Sequence, residues 1–258
     1  MGPPVNALSP WGKGRLKWLG QPAALAPGRS WPHKNAMSLT LARDGARHIP
    51  AALDAAALAL VETALAMLPA DRAGQRLASL AAIAPVLAPG GAIGCHAAAH
   101  LGRNARPVRA ILFDKSAATN WALGWHQDRT IAVRARTDTP GFGPWTMKSG
   151  IQHVAPPQHL LDRMVTLRLH LDSVDADNAP LLIAPGSHHH GRIAEGRVTA
   201  HVERCGTHAC LADRGDIWLY ATPILHASDA ARTPRHRRVL QLDYSADSLP
   251  GGLEWLGL

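Results

Sequence analysis

The sequence predicts a mainly β domain of the α+β class, with helices placed ahead of a sandwich or barrel of short strands. Three observations carry this expectation. From about residue 90 onward, short apolar and β-branched segments alternate with Gly, Pro and Asn, the pattern of strands and turns. One segment, "MVTLRLHLD" (164–172), alternates strictly, with Val165, Leu167, Leu169 and Leu171 on one face and Thr166, Arg168 and His170 on the other. Ahead of the strands, apolar residues fall at helical spacing, and neither strand–helix–strand alternation nor an internal repeat follows.

Residues 1–36 hold six prolines, scattered Trp11, Trp18 and Trp31, and no periodicity, so they read as a poorly ordered, basic, Pro/Gly-rich tail. A single domain is expected over 37–258. Asp44-Gly45 signals a turn, and Pro50 suits the first position of a helix carrying "AALDAAALALVETALAML" (51–68), which Pro69 stops. A second helix is expected from Asp71, as its N-cap, to about Ile83. Strands are expected at "RPVRAILFD" (106–114), "WHQDRTIAV" (125–133), 164–172, "PLLIAPGS" (180–187), "GDIWLYATPILHAS" (215–228) and "RRVLQLDYS" (237–245). The Gly/Pro-rich stretch 136–157 is expected to be an irregular lid over the substrate side, because loops of that length in compact domains tend to be functional.

Bulk properties exclude several functions. No run of about eighteen apolar residues exists, so no membrane span is expected. Of the net charge of +8, five units sit in residues 1–36, which contain no acid, and the folded part carries no basic run for nucleic acid. Cys95, Cys205 and Cys210 lack C-x-x-C spacing and no signal-peptide pattern precedes them, so free thiols in a cytoplasmic protein are expected.

The chemistry begins at "WHQD" (125–128). His126 and Asp128 stand at i and i+2 of an expected strand and so face one spot. Buried there, each needs a partner, since an unpaired buried carboxylate is costly; a metal ion is one such partner, and a solvated His–Asp pair is the other reading. His226, at the end of a distant strand, supplies a third ligand. Two histidines and one carboxylate form the facial triad of non-haem Fe(II) oxygenases, which leaves three positions for a bidentate 2-oxo acid and dioxygen. Zinc would use the same residues, but a strand-borne H-x-D is less typical of zinc than H-E-x-x-H or paired cysteines.

Four elements in order, "WHQD" at 125–128, "DADNAPLLIAPGSHHHG" at 175–191, "GDIWLY…ILHAS" at 215–228 and "RRVLQLDY" at 237–244, make the chain similar to the phytanoyl-CoA dioxygenase family. Ala179 stands where that family's N-G-x-L has glycine. The resemblance implies a double-stranded β-helix (jelly-roll) core with flanking N-terminal helices. It implies Fe(II) held by His126, Asp128 and His226, and O2 as oxidant. It also implies 2-oxoglutarate clamped by Arg237, eleven residues past His226, with Ser228 as a second donor. A guanidinium fork matches a carboxylate, whereas Arg238 faces the other way and is expected in a surface ion pair.

The implied reaction hydroxylates a small-molecule substrate and releases succinate and CO2. Desaturation, cyclisation or epimerisation at the same iron, or a non-catalytic jelly-roll binding protein, are the alternatives. Related halogenases carry Gly or Ala where Asp128 stands, so the filled position favours oxygen transfer. Arg134, Arg136, Lys148 and Arg168 are candidate cations at the pocket mouth for an acyl-CoA; an amino-acid-like or terpenoid substrate is equally compatible. Lys115, Trp121 and Trp125, near the triad in sequence, are expected in packing, with lining of the pocket as the other reading, and His188, His189 and His190 in a surface loop. The sequence is silent on oligomeric state.

Overall fold

The computed structural model describes residues 38–69 and 72–258; the expected tail 1–36 and the expected N-cap Asp71 lie outside the described residues. The chain opens with α1 (Leu41–Asp44) and β1 (Ala46–Ile49), joined at Gly45, whose φ of 75° the Asp44-Gly45 turn requires. α2 (Ala55–Leu65) starts on Asp54, whose carboxylate accepts the Ala57 N–H at 2.8 Å. Pro50 therefore does not open the helix; it belongs to the turn before it.

The second expected helix is replaced over most of its span. β2 (Gly74–Leu77) runs there instead, and helical geometry returns only at Ala81, ahead of α3 (Ala84–Leu87) and α4 (Gly94–Leu101). β2 pairs antiparallel with β3 (Arg106–Lys115), so edge pairing outweighs the helix preference of the Ala/Leu-rich text.

The remaining elements are β4 (Leu123–His126), β5 (Ile131–Val133), β6 (Trp145–Lys148), β7 (Ile151–Val154), α5 (Gln158–Leu161), β8 (Val165–His170) and β9 (Leu181–Ile183). They continue with α6 (Val198–Cys205), β10 (His208–Cys210), β11 (Ile217–Ala221), β12 (His226–Ser228) and β13 (Arg237–Ser245). The stretch 136–157 is not irregular throughout: β6 and β7 form a hairpin over Ser149-Gly150, whose φ values of 52° and 76° are those of a two-residue primed turn.

All pairings are antiparallel, in a six-stranded sheet ordered β1-β11-β8-β13-β3-β2, a four-stranded sheet β10-β9-β12-β4, and a small sheet β5-β7-β6. The architecture is a mainly β jelly-roll with flanking helices. On the outer face of the large sheet, Leu167, Leu169, Leu219, Leu240 and Leu242 lie beneath Leu58, Val61, Leu65 and Ala97 of the helices. Each buried leucine contributes roughly 1.5–3 kcal/mol relative to exposure. Inside, Trp218 and Tyr220 of β11 pack across onto Leu181 and Ile183 and close one end of the sandwich. The other end, between β3 and β13 on one side and β4 and β12 on the other, is a cavity. No helix among the described residues is long and apolar enough to cross a membrane.

Candidate metal centre and co-substrate pocket

His126 ends β4 and His226 begins β12, and the two are direct cross-strand partners, with ring centroids 4.3 Å apart. Asp128 lies on neither strand. The single strand expected over 125–133 is broken between β4 and β5, and Asp128 lies in the break. Its carboxylate still reaches the same spot: one ligand atom from each of His126, Asp128 and His226 lies within 4.8 Å of the others. Gln127 holds the break in place. Its amide donates to the carbonyls of Gly191 and Pro223, both at 2.8 Å, and accepts the Ile193 N–H at 2.9 Å.

Local hydrogen bonds set the tautomers. Nδ1 of His126 donates to the Gly124 carbonyl at 2.8 Å, and Nδ1 of His226 to the Ile224 carbonyl at 3.0 Å. Each ring then carries its lone pair on Nε2. Burial, and then His126, push the His226 imidazole down to about 3, so it is neutral at physiological pH. Burial alone would raise Asp128, but Arg109, with the two histidines and Lys148, holds the carboxyl well below the usual range. Arg109 donates to Asp128 at 2.8 Å and also binds Asp243, which in turn accepts from the Thr166 hydroxyl at 3.0 Å. Two imidazoles and an ionised carboxylate are the donor set a facial-triad iron takes, so the residues present fit that metal.

The far end of the cavity is cationic. Arg237 is 2% exposed, donates Nη1 to the Ala179 carbonyl, and keeps a buried Nε without an acceptor among the described residues. Its cross-strand partner is Lys115, whose ammonium donates to Ser228 Oγ at 3.0 Å and the Asp229 carbonyl at 2.8 Å and lies 4.7 Å from the Trp121 ring centre. Arg168 stands beside them, donating to Gln241 at 3.3 Å, and its own Nε has no acceptor among the described residues. Burial first, and then these cations' mutual repulsion, pushes Lys115 down to about 6 and Arg237 to about 9. Buried cations with orphaned donors fit a carboxylate-bearing co-substrate.

The other expectations divide. Arg238 does face away, and pairs with Asp172 at 2.8 Å and Glu62 at 3.1 Å. Lys115 and Trp121 line the cavity instead of merely packing, whereas Trp125 packs against the four-stranded sheet on Leu182, Ala227 and Leu225. Of the four candidate mouth cations, Arg134 and Arg136 are exposed and tied to Glu254 and Asp138, Arg168 lies at the cationic end, and Lys148 lines the cavity. His188, His189 and His190 form one short 3-10 turn; its Ser187 hydroxyl accepts the Leu225 N–H at 2.9 Å and braces the approach to β12. Sequence reasoning missed Arg109, Asp243, Gln241 and Gln127. The signal for three of them was present, since Arg237, Gln241 and Asp243 share one parity on β13 and Arg109 falls on the corresponding face of β3.

Fold and site together define an iron- and 2-oxoglutarate-dependent oxygenase of the jelly-roll type. Residues 41–239 match the model of the phytanoyl-CoA dioxygenase (PhyH) family, and the chain belongs to that family. Among curated proteins no sequence match is found. Solved structures share the fold. HygX from Streptomyces hygroscopicus, with nickel and 2-oxoglutarate bound, is 14% identical at a TM-score of 0.54, covering 80% of this chain and 84% of its own. EctD from S. alaskensis, with 2-oxoglutarate and 5-hydroxyectoine, is 18% identical at 0.58, covering 84% and 79%. The epimerase SnoN, in complex with Fe3+, alpha ketoglutarate and nogalamycin RO, is 17% identical at 0.56, covering 82% and 88%.

Proposed function

We propose that the protein hydroxylates a small organic molecule, with His126, Asp128 and His226 as the ligands of Fe(II) and with 2-oxoglutarate converted to succinate and CO2. The observation that carries this reading is the pairing, across one cavity, of a His–Asp–His cluster with a buried arginine that no carboxylate among the described residues neutralises. Bound iron supplies the activation of dioxygen. The chain's own residues do the rest. Arg109 keeps Asp128 ionised and occupies one of its oxygens, which leaves the other for the metal. The two Nδ1–H bonds aim the imidazoles.

Arg237 and Ser228 take the distal carboxylate of 2-oxoglutarate, with Arg168 adding charge and the Lys115 amine a further donor at the same end. Ile111, Phe113, Trp121 and Leu123 form the apolar part of the wall. Asp128 occupies the position that a halide would need, which favours oxygen transfer to the substrate.

Incubation with Fe(II), 2-oxoglutarate and labelled dioxygen across a substrate panel tests this reading. Succinate release with one labelled oxygen in the product is expected, and a chlorinated product in excess chloride would overturn the role of Asp128.

A further inference from the structure

We propose that His170 is a positioning residue for the co-substrate clamp: behind the cavity wall, its ring holds an ordered water that fixes the side chains of Arg168 and Arg237. The proposal rests on the oxygenase reading of the site. It adds a residue that neither belongs to the metal cluster nor lines the cavity.

Buried side-chain nitrogens without a hydrogen-bond partner gather at one place on the inner face. His170 is 2% exposed, and neither of its ring nitrogens has a partner among the described residues. Nε of Arg168, Nε of Arg237 and Nδ2 of Asn178, all in buried residues, share that condition. Strand register brings His170 and the two arginines together. Arg168 and His170 stand at i and i+2 of β8 and so share a face. His170 lies opposite Val239 of β13, which makes Arg237 its diagonal neighbour, at a separation of about 7–8 Å that long side chains bridge. Asn178 precedes Ala179, whose carbonyl accepts from Arg237. The backbone fixes the origin of the ring: the His170 N–H donates to the Asp216 carbonyl at 3.0 Å, and its carbonyl accepts the Gly215 N–H at 2.8 Å.

The chemistry of this set is one-sided. Burial first, and then Arg168 and Arg237, hold the His170 ring well below its ordinary pKa, so it is neutral, with one N–H and one lone pair. Each arginine Nε and the asparagine amide nitrogen can only donate. One lone pair cannot serve them all. A water molecule can: its oxygen accepts from the two Nε–H groups, and one of its hydrogens goes to the lone pair of His170. Held at Nε by that water and at Nη1 by the Ala179 carbonyl, Arg237 keeps the rest of its fork for the distal carboxylate of 2-oxoglutarate. A long side chain ordered before binding spares the binding step that loss of freedom.

The test uses the full chain loaded with Ni(II), crystallised with and without 2-oxoglutarate and titrated with it calorimetrically. The crystals are expected to show a water within about 3.2 Å of a His170 ring nitrogen and of an arginine Nε. His170→Phe keeps a ring and removes both nitrogens; it should weaken 2-oxoglutarate about tenfold, the scale of one charge-assisted hydrogen bond, with Ni(II) affinity unchanged. His170→Gln, which restores a donor and an acceptor, should recover most of that loss. Wild-type 2-oxoglutarate affinity in His170→Phe, or no recovery in His170→Gln, would overturn the proposal. So would crystals with no water on the ring, or with the co-substrate carboxylate on Nε of Arg237; these decide alone if His170→Phe fails to fold. A water on His170 in wild-type protein that binds no 2-oxoglutarate would uphold the water site and refute the oxygenase reading instead.

Discussion

On β8, Leu167 and Leu169 point out beneath the helices while Thr166, Arg168 and His170 take the inner side, Arg168 lining the cavity. On β13, Leu240, Leu242 and Tyr244 take the outer side and Arg237, Gln241 and Asp243 the inner. The outer face buries apolar surface, an attraction that needs no particular geometry. The inner face buries cations and leaves Nε of Arg168 and of Arg237 without an acceptor among the described residues, which opposes folding. One face therefore stabilises the strands that the other loads with charge, and the two should respond oppositely to substitution.

The largest effect should come from the metal cluster. His226→Ala, or His126→Ala, is expected to abolish iron retention and 2-oxoglutarate turnover; metal analysis showing wild-type iron in either variant would break the ligand assignment. Next, Arg237→Ala should weaken 2-oxoglutarate by roughly 2–5 kcal/mol, part of it the charge left unpaired, with a melting temperature unchanged or higher. Its outer-face counterpart, Leu167→Ala, should lose roughly 2–5 kcal/mol of folding stability while folded protein binds 2-oxoglutarate normally. A variant on either face that moved both readouts equally would blur the division.

Lys115 gives a sharper version through pH. Its ordinary value of 10.5 applies to the unfolded chain, whereas burial and then Arg237 bring it to about 6 in the folded protein. Between those values the unfolded state binds a proton that the folded state lacks, so this lysine makes stability rise with pH from about 6 to 10.5. Lys115→Met should raise stability at neutral pH and remove that slope, as read from urea midpoints across the range; a steeper slope in the variant would contradict it. The smallest effect belongs to Arg238→Ala, which should cost about 1 kcal/mol or less, as partly exposed ion pairs do, and leave 2-oxoglutarate binding alone. If Arg238→Ala impaired co-substrate binding more than Arg237→Ala, the facing of β13 would be reversed.

What was legible in the sequence followed from local periodicity and from side-chain chemistry. The strict alternation of 164–172 placed β8 and its two faces, and the parity of Arg237 and Arg238 anticipated which of them meets Asp172. His126, Asp128 and His226 were legible as a donor set because few structures call for those three types together. What depended on distant pairing was not legible. β2 forms because β3 offers an edge, which no window around Gly74–Leu77 contains. Arg109 meets Asp243 across 134 residues of chain, and Lys115 reaches Ser228 across 113. The break after His126 depends on Gln127 finding Gly191, Ile193 and Pro223, so an uninterrupted strand was the natural local reading.

That glutamine has a consequence for the proposed metal site. His126 and His226 are 100 residues apart in sequence, and closing a flexible loop of that length costs on the order of 4 kcal/mol in chain entropy. Gln127 clips the first histidine's segment to Pro223, three residues before the second, while β4 and β12 zip the two together. The entropy is thus lost during folding and not at the moment of ligation. At the proposed metal site an incoming ion would meet a chelator whose teeth are already set, and the second histidine would act at an effective concentration far above that of any free imidazole.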